Sequence, residues 1–207
     1  MPYRPTRRTK AQKARRRERI VSAAVERVAA GGYASASVQR VAGEAGVAVG
    51  TVYRHFPSKE KLFTEVFRRI SERELEVVVK ASQPDGRAAD WRICAAVEVF
   101  CRRALASPVL AYALIAEPVD PAIEAERLRL RSGYRDAFAS VLHDGVRDGE
   151  LRPHDSSTVA AALVGALAES LVGPLSDTNG GSHEALIATL VQFCEEALPR
   201  AHAPVHA

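Results

Sequence analysis

Helical periodicity runs the whole length of this chain, and no second pattern competes with it. Apolar residues recur at spacings of three and four between Gly and Pro breaks, and alternating strand patterns are absent. The one β-branched run, "EVVVK", is short and sits inside a helical stretch. The 207 residues are enough to bury a real core. The expected fold is all-α, with about nine helices: an N-terminal head of short helices and a C-terminal helical bundle. The breaks predict helices over about 16–30, 38–45, 49–56, 58–82, 91–106, 109–116, 122–145, 156–172 and 183–198. Gly31-Gly32, Gly46 and Pro57-Ser58 punctuate the first four. "SQPDGRAAD", "RDGELRPHD" and "SDTNGGS" read as loops. The expected division is a flexible basic arm over 1–15, a head over 16–60, a body over 61–198 and a frayed tail over 199–207.

Charge divides the chain in the same place. Residues 1–61 hold 14 Lys/Arg against 4 acids, or +10, and residues 62–207 hold 15 against 21, or −6. A cationic head on an acidic body suggests a polyanionic partner. Nine cations fall within the first nineteen residues, with Glu18 the only acid among them. No apolar segment follows them, so they form no secretory signal; a mitochondrial-type presequence is the competing reading of an Arg-rich start. No run of about 18 apolar residues is evident, and no transmembrane helix is expected.

The segment "VGTVYRHF" (49–56) is odd for a surface helix. Gly50, two β-branched residues, Tyr53, Arg54 and His55 crowd two turns, where solvent-facing helices favour Ala, Glu, Lys and Gln. Helices two and three are joined by "GVA", with Gly46 suited to a positive φ and Val47 packed beneath. In a helix-turn-helix the second helix enters a major groove. Gly50 would then admit close approach, while Val49, Thr51, Tyr53, Arg54 and His55 reach bases or phosphates. Val52 and Phe56, four apart, would point back to the core. Arg15, Arg16, Arg17, Ser37, Gln39, Arg40 and Lys59 complete the expected contact set with duplex DNA.

The run "RIVSAAVERVAAGGYASASVQRVAGEAGVAVGTVYRHFPSKEKLF" resembles the TetR-family DNA-binding domain. The residues that carry it are Gly32-Tyr33, Ser37-Val38, Val41-Ala42, Ala45–Val47, Gly50–Phe56, Ser58–Glu60 and Leu62. It covers about fifty residues, a quarter of the chain; the remainder matches only in layout. The resemblance implies a dimeric, ligand-responsive transcriptional repressor in the bacterial cytoplasm, released from a palindromic operator by a small, largely apolar effector. Two positions depart from the family pattern. Ala36 and Ala48 stand where hydroxyl caps are common, and losing such a cap costs about 1 kcal/mol. Ser35 or Ser37 can serve the first helix; nothing nearby serves the second.

In the body, "VAAALVGALAESLVGPL" is apolar on nearly every side and must be buried all round. The family layout favours a four-helix dimer interface over a plain intrachain core. Its expected residues are Leu163, Leu167 and Leu171, with Leu186, Leu190, Phe193 and Cys194 from the last helix. Large residues on the middle helices offer a ligand pocket: Trp91, Phe100, Leu105, Tyr112, Tyr134 and Phe138, with Glu117 as a polar acceptor. A plain core would carry the same stripe.

Other chemistry is poorly represented. Three cysteines, Cys94, Cys101 and Cys194, fit a reducing compartment and no disulfide framework. Cys94 and Cys101 lie two turns apart, roughly 10 Å, too far for a direct bridge. His143 and His154 flank an acidic loop, and His202 and His206 straddle Pro204; neither pair reads as a metal site. No phosphate loop, nucleophile elbow or H-E-x-x-H is present, and no cofactor is expected. A sequence-indifferent architectural DNA binder and a helical enzyme are the alternative classes.

Overall fold

The structure is a computed structural model that describes residues 7–177 and 183–201. Arg4, His202, His206 and most of the "SDTNGGS" loop lie outside them. Among the described residues there are nine helices, and the only extended pairing is an isolated bridge between Leu151 and Arg200.

The head comprises α1 (Arg7–Ser35), α2 (Val38–Glu44) and α3 (Val49–His55). Helix α1 begins well before the expected start near residue 16. Residues 7–15 are Ala, Arg, Lys, Gln and Thr, mostly strong helix formers, and they extend the helix rather than forming a loose arm. Its regular part stops at the glycine pair, where Gly31 and Gly32 leave helical geometry and Gly32 takes φ +70°. Ile20, Ala24 and Val28 form the inward face, each fully buried. Ser37 caps α2 by accepting from the Arg40 N–H at 3.3 Å. So Ser37, not Ala36, does the capping, and Ala36 is buried.

Helix α4 (Lys59–Ala81) runs from the head into the body. The Ser58 hydroxyl caps it, accepting from the Lys61 N–H at 3.2 Å. Phe63 and Phe67 on its inner face flank Tyr33, both with ring centroids 6.0 Å away, the first edge-on and the second stacked. Aromatic pairs of this kind add about 0.5–1.5 kcal/mol each beyond burial.

The body is a bundle of α5 (Ala89–Ala106), α6 (Pro108–Ile115), α7 (Pro121–Arg147), α8 (Ser156–Ser176) and α9 (His183–Ala197) around the end of α4. Helix α7 packs on both α4 and α8, α9 packs on α5, and α6 packs back onto α1. Arg92 is a buried tie, donating to the Ser82 carbonyl at 2.9 Å and pairing with Asp144 at 3.3 Å.

Helix α8 corrects one expectation. By length and composition alone it is apolar enough to cross a membrane. Ala and Gly carry that apolarity together with the leucines, which is why no long run of large residues stood out. Leu163, Leu167 and Leu171 face the bundle of their own protomer, at most 3% exposed. They are core, not a surface for a second copy, and so are Leu190 and Cys194. Leu186 is half-buried against the same core. Of the expected interface residues only Phe193 projects outward, 47% exposed. The outward side of α8 is small instead: Ala161, Ala162, Gly165 and Gly173 are exposed.

Candidate nucleic-acid interface and interior cavity

Helix α3 is held from behind and open in front. Val52 and Phe56 are buried on the head's core, as their spacing predicts, and Val49 is half-buried beside them. Gly50, Tyr53 and Arg54 are exposed, with Thr51 and His55 half-exposed. Ala48 starts the helix with no side-chain cap bond. Arg54 reaches Thr51 Oγ1 at 3.4 Å, a weak bond that a better acceptor displaces.

Gly50 is informative because nothing in the protein requires it. A Cβ added there meets no atom within 4 Å, and its φ is not positive. As the second residue of α3, Gly50 stands in the first turn, where glycine is a weaker helix former than alanine. Gly43, Gly165 and Gly173 meet open space too, and what sets Gly50 apart is its exposed place on α3, where a partner's backbone can approach closely.

The turn before α3 is fixed by Arg19. Its guanidinium donates to the carbonyls of Ala45 and of Gly46, the latter at 3.4 Å, while Gly46 holds φ +61°. Sequence reading counted Arg19 only among the cations of the first nineteen residues; no local pattern signals a partner 26 positions away. Arg17, expected to contact DNA, is occupied too. It lies 4.9 Å over the Phe56 ring and pairs with Glu65 at 3.0 Å. It clamps α3 and α4 onto α1. Arg40 donates to the Ser35 carbonyl at 3.1 Å, and Ser37 is engaged as a cap. Gln39 and Lys59 are exposed, and Lys59 lies 5.7 Å from the Phe63 ring.

The electrostatics of this face show in His55. Partial desolvation lowers its pKa, and the charges of Lys13, Arg54, Arg16 and Arg17 lower it further. Four cations therefore converge on the end of α3, and the first turns of α1 lie against it. Such a field attracts a polyanion.

Body and head meet at Glu117. Its carboxylate accepts from the Tyr33 N–H at 2.9 Å and the Ala34 N–H at 2.8 Å. It is 8% exposed and does not line the large cavity, which corrects its assignment as a pocket acceptor. A Cβ on Gly32 would sit 2.7 Å from that carboxylate, so glycine is required there.

That cavity has a volume of about 380 Å³ and lies among α4, α5, α6, α7 and α8. Its wall is apolar, built by Val78, Leu110, Leu114, Leu130 and Val164 together with Phe100, Tyr134 and Phe138. Phe100 packs edge-on against Tyr134 at 5.5 Å. Only those last three of the expected pocket residues reach it. Leu105 is sealed in the core and Tyr112 is half-buried away from the cavity. Trp91 is 43% exposed, with the Arg87 guanidinium stacked 3.4 Å from its ring. Leu167, expected at a dimer interface, lines the cavity instead. Sequence reading missed the arginines Arg102, Arg103, Arg127 and Arg131 in the same lining.

Burial raises the three thiols, Cys94 to about 11 and Cys101 and Cys194 to about 12, so they stay protonated and unreactive near neutrality. Among the described residues no group of three His, Cys, Asp or Glu is placed to hold a metal.

Comparison with known proteins decides what this head is. Residues 20–66 match the family model described as bacterial regulatory proteins, tetR family. The match spans α1 from Ile20, the turn fixed by Arg19, all of α3 and the first turns of α4. Over these residues the head is similar to the DNA-binding segment of the tetR-family regulators. The chain is 40% identical over 72 residues to the HTH-type transcriptional repressor KstR of Rhodococcus jostii, covering 35% of this chain and 32% of that one. It is 43% identical over 49 residues to the fatty acid metabolism regulator protein of Bacillus subtilis, covering 24% and 25%. The chain thus spans about a third or less of the curated relatives it matches. Solved structures extend the likeness to the whole fold. FadR from Bacillus subtilis in complex with stearoyl-CoA superposes with TM-score 0.74 at 20% identity, over 87% of this chain and 98% of that one. The reduced form of Escherichia coli NemR superposes with TM-score 0.73 at 13% identity, over 91% and 99%. At these identities the likeness over the body is one of fold.

Proposed function

We propose that this chain is a member of the TetR family: a homodimeric, cytoplasmic transcriptional regulator, a repressor released from a palindromic operator by a largely apolar small molecule. The observation that carries the DNA-binding reading is Gly50. It is an exposed glycine on the outer face of α3, within a convergence of four cations. Each recognition helix would enter a major groove, with Thr51, Tyr53 and Arg54 at base edges and Arg15 and Arg16 on phosphates.

Dimer formation is supported by the outer faces of α8 and α9. Phe193 on α9 is exposed, and on α8 a Cβ at Gly165 or Gly173 meets nothing within 4 Å. Small side chains let helices from two copies approach closely, as a four-helix interface needs. The apolar cavity supports an effector with an aliphatic body, and a neighbour in fold, FadR from Bacillus subtilis, was solved in complex with stearoyl-CoA. Effector must bind the DNA-incompetent conformation more tightly, or it shifts nothing.

Two experiments test the proposal. Titration of full-length protein against a genomic fragment selected by it and against a scrambled duplex should show a gap of about 10³ or more. Equal affinity would favour a sequence-indifferent architectural binder. Sedimentation should give a dimer, and Phe193→Glu should shift it to monomer.

A further inference from the structure

We infer that the effector of this cavity is an amphiphile with an anionic head, and that Arg131 is the residue that recognises the head. The inference rests on the reading of the cavity as the effector site and adds the chemistry of its mouth.

Four arginines line an otherwise apolar space. Three are already satisfied. Arg103 holds Glu74 through two bonds of 2.7 Å. Arg102 pairs with Glu98 at 2.8 Å and with Glu184 at 2.7 Å. Arg127 is buried, pairs with Glu124 and donates to the carbonyls of Leu114 and Glu117 at 3.0 and 2.6 Å. Arg131 differs. Among the described residues it pairs with no carboxylate, and its one hydrogen bond goes to the Ile115 carbonyl at 3.3 Å. It is exposed, so its head group stands where the cavity opens to solvent.

Its neighbours sharpen the case. Arg127, Arg131 and Arg135 recur every fourth residue along one side of α7, and like charges at that spacing repel. Arg127 is neutralised by Glu124, and Arg135 lies 3.6 Å from Asp136. The middle guanidinium alone keeps its charge unmatched. A planar guanidinium is suited to a carboxylate or phosphate, which it binds through two parallel N–H donors. An apolar body below and an unmatched fork at the rim together describe an acyl chain with an anionic end. Taking about 30 Å³ per water-sized group, the space holds a chain of roughly a dozen heavy atoms. A free fatty acid and an acyl-coenzyme A thioester share this chemistry.

The test uses the full chain and four probes: dodecanoate, dodecanoyl-CoA, 1-dodecanol and coenzyme A alone, with binding read by calorimetry. Wild type should bind at least one of the two acyl anions about tenfold or more tightly than 1-dodecanol. Arg131→Gln should erase that preference while leaving 1-dodecanol binding and the melting temperature unchanged, and Arg131→Lys should keep part of it. Preference for dodecanoate assigns a carboxylate head; preference for dodecanoyl-CoA assigns the phosphates of the thioester. If 1-dodecanol binds as tightly as either anion, or if Arg131→Gln keeps the preference, the head-group assignment is wrong while the effector cavity stands. If coenzyme A alone binds as well as its thioester, the anion is held without the cavity and the assignment again fails. If no twelve-carbon probe binds at all, the reading of the cavity as an effector site falls with it.

Discussion

The carboxylate of Glu117, just past the end of α6, accepts hydrogen bonds from the backbone N–H groups of Tyr33 and Ala34, 84 and 83 residues away in sequence. It is the buried polar joint between body and head. Arg127 lines the cavity and donates to the Glu117 carbonyl at 2.6 Å, so cavity wall and joint share one residue. Glu117→Ala would leave the buried Tyr33 N–H and the part-buried Ala34 N–H unmatched, a cost of about 1–3 kcal/mol. Chemical denaturation should show that loss. Operator affinity of the folded fraction should stay within a few-fold of wild type, while release by effector weakens. Unchanged release would show that this joint carries no coupling.

Gly50 separates folding from recognition. Gly50→Ala should raise stability slightly, since the added methyl meets open space and removes backbone entropy from the unfolded chain. The same methyl should weaken operator binding. Denaturant midpoints and anisotropy titrations on one preparation read both effects. A variant that is more stable and binds equally well would remove the close-approach argument.

Ala48 leaves α3 without a side-chain cap. Ala48→Ser should supply an acceptor for the free N–H groups of the first turn and stabilise the head by about 1 kcal/mol. Thermal melts check it.

His55 gives the DNA complex a pH dependence. Desolvation and neighbouring cations hold its pKa below the ordinary imidazole value in the free protein. Protonation there disfavours the fold, so the free protein loses stability as pH falls through roughly 6.5, the unfolded value. DNA phosphates reverse the sign by stabilising the imidazolium. The complex then takes up a proton, and affinity should rise as pH falls through the raised value and level off below the lowered one. His55→Gln should flatten that rise in titrations at constant ionic strength.

Arginines of α1 divide by partner. Arg16→Ala should weaken binding to every duplex and reduce the salt slope by about one. Arg17→Ala should lower stability as well, because Arg17 braces Phe56 and Glu65.

The residues explain which parts of this molecule were legible in sequence. Helix α3 was, because weak helix formers on an outward face are a local pattern. The helix ends were, because Gly31-Gly32, Gly46 and Ser58 act on their immediate neighbours. The leucines of α8 misled. A four-residue repeat says that Leu163, Leu167 and Leu171 share a face, not whether their own chain or a second copy covers it; their own chain does. Glu117 and Arg19 were illegible for a related reason, since their partners lie 83 and 26 residues away and no short-range rule joins them. Trp91 read as pocket because it is large, yet it is stacked at the surface by Arg87.

The central claim is that the outer face of α3 reads base sequence. The most direct measurement is the affinity of Thr51→Ala and Tyr53→Ala for a selected operator and for its scrambled duplex, with Arg16→Ala alongside. The account predicts that the two α3 variants lose operator affinity while scrambled binding holds, and that Arg16→Ala weakens both alike. Equal losses on both duplexes for all three variants would contradict it.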